Sequence, residues 1–133
     1  MQYIILNITI GLHSKLNKMA AGNTDNIQSQ MKKGLLEFAI LSIIQRGEAY
    51  PSDITQELRE SGMQVLEGTL YPLLTRLKNA GYLDYRWVES TGGPPRKYFT
   101  LTDSGSEFYK ILESTWHEIS SAVNKLTQTK QSN

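Results

Sequence analysis

The chain has 133 residues, one domain's worth with an added arm, and a chain of this size buries roughly two thirds of its unfolded surface in one core. Apolar residues make up 39% and charged residues 20%, and 14 Lys+Arg against 13 Asp+Glu leave a net charge of +1, a globular composition whose bulk charge names no partner. The absence of cysteine excludes disulfides, zinc-cysteine sites and thiol nucleophiles, and His13 and His117 share no ligand spacing. A cytoplasmic protein without cofactor or metal is the expectation.

Residues 1–26 differ from the rest. Tyr3 to Ile10 is an apolar run too short to span a bilayer and lacks the basic residues that precede a secretory signal. Ala20 to Asn26 has linker composition, so the segment reads as a disordered arm or as an extension from an upstream start codon, with Met19 the expected start. The competing reading is an extra element that covers a dimer surface.

From Ile27 to Arg46 the pattern predicts one helix, apolar almost all round between Leu35 and Ile44 and stopped by Gly47. Pro51-Ser52-Asp53 announces a second helix with Ile54 and Leu58 as its apolar pair, closed by Ser61-Gly62. A third runs from about Gly68 to Ala80, with Leu70, Leu73, Leu74, Leu77 and Ala80 on one face. Pro72 lacks an amide donor, which predicts that it lies in the first turn. Leu83–Glu89 and Arg96–Leu101 then read as strands around the Gly/Pro loop of residues 90–95, a hairpin signal. Thr102-Asp103-Ser104 offers N-cap residues for a last helix reaching about Gln128, and residues 129–133 read as a disordered tail.

That last helix carries Phe108, Leu112, Thr115, Ile119, Ala122 and Leu126 at spacings of 4, 3, 4, 3 and 4, a seam of under three heptads that needs a partner. Tyr109, Trp116 and Val123 form a second stripe. The expected dimer surface combines this helix with Leu35 and Phe38 of the first. Mainly α with a small β hairpin, the order is that of a winged helix-turn-helix, residues 27–102, followed by a long C-terminal dimerisation helix, residues 103–128.

A winged helix points to double-stranded DNA if its exposed faces suit phosphate and bases. Residues 61–100 carry five basic and three acidic residues, whereas residues 101–133 carry three and four. At about 100° per residue, the third-helix face opposite Leu70, Leu74 and Leu77 is centred on Gly68, Pro72, Thr75 and Asn79, flanked by Tyr71, Arg76 and Lys78. Its small middle permits groove approach; Thr75 and Asn79 suit base edges, while Arg76 and Lys78 suit phosphate or guanine. Thr69 belongs to the same helix start. Gly92 and Gly93 make an exposed loop tip with Arg96 and Lys97 behind it, one of them facing DNA and the other solvated or paired with Glu89. The alternative is an ordinary solvated face.

Gly34-Leu35-Leu36-Glu37, Ala49-Tyr50-Pro51-Ser52-Asp53-Ile54, Glu67-Gly68-Thr69-Leu70-Tyr71-Pro72-Leu73-Leu74-Thr75-Arg76-Leu77, Gly81-Tyr82-Leu83 and the run from Gly93 to Thr102 resemble the PadR family of transcriptional regulators over residues 28–128. The resemblance implies a homodimeric repressor on an inverted-repeat operator, often with ATGT/ACAT-type half-sites. It also implies that the third helix enters the major groove and that a single C-terminal helix mediates dimerisation. Trp116 fills the dimer interface or, as in some small relatives, stacks on a planar aromatic small molecule, with Glu113 and His117 as polar neighbours. An enzyme is not expected, because the chain offers neither a nucleophile–base pair nor a phosphate loop: Gly92-Gly93 is followed by Pro94-Pro95, which lack donors. A winged-helix protein-interaction module without specific DNA binding is the alternative function.

Overall fold

A computed structural model describes residues 24–128; the expectations for residues 1–23 and for the tail 129–133 lie outside the described residues. Two compact units divide the chain at Leu36/Glu37. In the first, helix α1 (Thr24–Lys32) opens inside the segment read as an arm. The second contains all but the first residue of α2 (Leu36–Ile44), then α3 (Pro51–Glu60), α4 (Glu67–Asn79), β1 (Leu83–Val88), β2 (Arg96–Leu101) and α5 (Asp103–Thr127).

The single helix expected over Ile27–Arg46 is therefore two. The break falls on Lys33-Gly34-Leu35, where the Leu35 amide donates to the Lys32 carbonyl in a tight turn. Glycine costs about 1 kcal/mol in a helix interior, and at Gly34 that local preference outweighs the flanking apolar period.

The core gathers Ile40, Leu41 and Ile44 of α2, Ile54 and Leu58 of α3, Leu70, Leu74 and Leu77 of α4, and Leu83 and Phe99 of the hairpin. The helical period selects those of α3 and α4, whereas in α2 an apolar run on nearly every side left the buried side to be chosen by packing. Both helices of the helix-turn-helix end in the same hydrogen-bonded motif. After α4, Gly81 takes φ +87° while Tyr82 N–H donates to Leu77 O at 3.0 Å and Gly81 N–H to Lys78 O at 2.9 Å; Gly62 (φ +92°) does the same after α3.

β1 and β2 pair antiparallel, with Tyr85 opposite Phe99, Arg86 opposite Tyr98 and Trp87 opposite Lys97. Ala49 bridges to Phe99 on the other edge of β2, exchanging hydrogen bonds of 3.1 and 2.8 Å. The hairpin is thereby fastened to the segment that enters α3.

Thr102 caps α5: its hydroxyl accepts from Gly105 N–H at 3.0 Å and donates to Gly81 O at 2.6 Å. The start of α5 is thus tied to the turn between α4 and β1.

Candidate nucleic-acid interface

On α4 the expected apolar face is buried at three of its five positions, with Leu73 half-buried and Ala80, which caps the helix end, exposed. Leu70, Leu74 and Leu77 are buried, while Gly68, Thr69, Tyr71, Pro72, Thr75, Arg76, Lys78 and Asn79 are all exposed. Pro72 is not in the first turn, as its missing donor predicts, but is the sixth residue of the helix. Here the tertiary fold overrides local preference, since three leucines of this helix are locked into the core on either side of the turn that contains the proline. The lost bond would have gone to Gly68, itself exposed, so the carbonyl left without a helical partner belongs to a residue that solvent reaches.

The wing carries Gly92, Gly93, Pro94 and Pro95 at an exposed tip, with Gly92 at φ +89° and the Ser90 hydroxyl donating to Pro94 O at 3.0 Å. Arg96 and Lys97 follow on opposite faces of β2. Neither pairs with Glu89. The Arg96 guanidinium lies 4.9 Å from the centre of the Tyr50 ring, and Lys97 Nζ lies 4.1 Å from that of Tyr85 and 5.3 Å from that of Trp87. The aromatic rings win because pleating turns each cation toward a ring on its own face.

The cations of α4 and the hairpin sort into two kinds. Arg76 is ion-paired with Glu37 of α2, and Arg86 grips Glu48 through two hydrogen bonds of 2.8 and 2.5 Å. That grip holds the Glu48 carboxyl below its ordinary pKa and the Arg86 guanidinium above its own. Lys78, Arg96 and Lys97 make no ion pair among the described residues and rest on aromatic rings. Their positive charge is not offset by a paired carboxylate.

Between the wing, the entrance of α3 and α4 lies an open cleft of about 500 Å³, lined by Tyr50, Ser52, Tyr71, Trp87, Arg96 and Lys97 among others. Sequence reasoning missed Tyr50, Ser52 and Trp87. For Trp87 the signal was partial, since alternation puts it on the face of Tyr85 but only the pairing register sets it opposite Lys97. For Tyr50 and Ser52 it was not, because only the bridge to Phe99 brings that segment beside the wing. Leu66, which precedes α4, is 80% exposed.

Of the expected dimer residues, Phe108 stacks on Tyr82 of its own chain at 4.2 Å, and Phe38 stacks on Tyr109 at 5.8 Å. Leu35 precedes α2, and Leu112 is half-buried. Thr115, Ile119, Ala122, Val123 and Leu126 are exposed, as is Ile111, which the seam spacing omitted. Glu113, Trp116 and His117 share one face of α5 by their i, i+3, i+4 spacing. Trp116 and His117 are exposed, and Glu113 accepts a 2.9 Å hydrogen bond from the Tyr109 hydroxyl. Burial, and then that bond, push the Tyr109 pKa up.

No group of His, Asp or Glu among the described residues is arranged to hold a metal ion, and none of their helices is long and apolar enough to cross a membrane.

Comparison with known proteins finds relatives of the same fold. The Negative transcriptional regulator PadR of Bacillus subtilis is 32% identical over 76 residues, covering 55% of this chain and 42% of that protein. A PadR-like transcription factor from Bacteroides fragilis is 53% identical in its X-ray structure, covering 77% of this chain and all of that one, with a TM-score of 0.65. Bacillus subtilis PadR in complex with operator DNA is similar in fold, at 24% identity and a TM-score of 0.54, over 74% of this chain and 50% of that one. The sequence profile of the Transcriptional regulator PadR-like family matches residues 40–111, which run from the buried Ile40 through the helix-turn-helix and wing into α5. On that match the chain belongs to the PadR-like family of transcriptional regulators, a family of regulators and not of enzymes.

Proposed function

We propose that this chain is a homodimeric DNA-binding repressor that occupies an inverted-repeat operator, with α4 in the major groove and the wing along the flanking backbone. The observation that carries this reading is the pairing of a small-centred, exposed α4 face with three ring-supported cations that lack carboxylate partners. Thr75 and Asn79 read base edges from the middle of that face, and Arg76 leaves Glu37 to join them. Arg76 is exposed and Glu37 half-buried, and an ion pair that solvent still reaches is worth on the order of 1 kcal/mol, so the exchange costs little. Two copies are needed because an inverted repeat presents two half-sites about one helical turn apart. The exposed apolar residues of α5 are the surface that joins them. The curated relative described as a negative regulator supports repression over activation. A planar aromatic ligand stacked on Trp116 at that joint would change the spacing of the two wings and relieve repression.

Titrating the protein onto a duplex from its own upstream region, at several salt concentrations, tests the reading. Affinity should fall steeply with salt, which an apolar protein interface would not show. Arg76→Ala and Asn79→Ala should each lose about 1–3 kcal/mol of specific binding. Unchanged affinity in both variants would remove them from base readout, and no binding at low salt would overturn the DNA-binding reading.

A further inference from the structure

We propose that Tyr85 is a positioning residue for DNA: its ring gathers Lys78 of α4 and Lys97 of β2 into one seat for backbone phosphate, so that helix and wing grip the same stretch of strand together. The inference rests on the DNA-binding reading above. Lys78 Nζ lies 5.2 Å and Lys97 Nζ 4.1 Å from the centre of that one ring, although the two lysines come from different elements. Those distances keep the ammonium groups within about one Debye length of each other (~10 Å at 0.1 M salt). With no carboxylate paired to either among the described residues, they repel. The negative face of the ring offsets part of that repulsion, and an anion lying across both lysines removes the rest.

The ring itself is held still. Tyr85 is half-buried, stands opposite Phe99 in the hairpin register with ring centres 5.8 Å apart, and meets Trp87 edge-on at 6.3 Å. A fixed ring restricts two long, flexible side chains before DNA arrives, which lowers the ordering cost of binding. Compact ammonium groups on flexible stems suit phosphate oxygens and not the planar edges of bases. The device needs the aromatic face and not the hydroxyl.

Fluorescence anisotropy with a labelled duplex, using the full chain over a salt series, separates the outcomes. Tyr85→Phe should bind as the unaltered protein does. Tyr85→Leu should bind roughly threefold to tenfold more weakly while still melting cooperatively. It should add no loss to the Lys78→Ala, Lys97→Ala double variant, whose salt slope should be shallower by about two per bound protomer. Full affinity in Tyr85→Leu, equal weakness in Tyr85→Phe, or an undiminished further loss in the double-variant background would overturn the proposal. A second arm leaves the tyrosine untouched: the losses from Lys78→Gln and Lys97→Gln should be non-additive, and strict additivity overturns the shared seat. Failure of the unaltered chain to bind any duplex at low salt would instead overturn the DNA-binding reading and, with it, this inference.

Discussion

At Gly105 the start of α5 comes so close to the α4–β1 turn that an added Cβ would stand 2.0 Å from the Tyr82 carbonyl oxygen and 2.9 Å from its carbon. The obstacle is backbone, which cannot swing aside as a side chain would. Gly105→Ala should therefore cost at least about 2 kcal/mol of stability, read as a lowered urea midpoint; an unchanged midpoint would show that the turn yields freely. Nothing in Asp103-Ser104-Gly105-Ser106 announces this, because the partner lies more than twenty residues upstream. Arg76 makes the same point from the other direction. Helical geometry placed it on the flank of the exposed face, but its partner Glu37 sits on another helix and is invisible to any local pattern. Lys97 follows suit, since alternation left its neighbour open and the pairing register chose aromatic rings.

Elements were more legible than their joints. The leucine period of α4, the hairpin around a Gly/Pro loop and the polar cap of α5 are local signals, and each element formed within a few residues of its expected bounds. The exceptions are positions where a local rule met a tertiary demand. Gly34 divided one expected helix into two, and Pro72 stayed inside α4 because the core holds leucines before and after it. Thr102 shows how a local cap becomes a joint, because the hydroxyl that accepts from Gly105 also donates to Gly81. Thr102→Ala should lose about 1–2 kcal/mol, and Thr102→Ser should recover most of it, as judged by denaturant unfolding of both variants. An alanine variant as stable as the unaltered chain would reduce the cap to a passive contact.

At the scale of the whole molecule, the second half of α5 presents exposed apolar side chains. Ile119 is 52% exposed, Val123 49% and Leu126 84%, while Phe108 and Tyr109 at the other end of the helix are engaged within the chain. This exposed apolar face is the one that the proposed dimer would cover. Ile119→Glu should yield monomers by analytical ultracentrifugation, with operator affinity falling because each half-site must then be bound separately; a stable dimer would place the contact elsewhere. By itself the sequence determined the order of elements, the core-facing periods, the small-centred face of α4 and, through its Gly-Thr-Leu-Tyr-Pro and Gly-Pro-Pro-Arg-Lys-Tyr blocks, the family. These are short-range properties, set by side-chain period, turn chemistry and local identity. Only the tertiary structure decided which cations are neutralised and which rest on rings, that Tyr50 lies beside the wing, and that Gly105 admits no side chain. Those outcomes depend on which surfaces meet across long stretches of chain, and charge or approach distance has no local signature until they do.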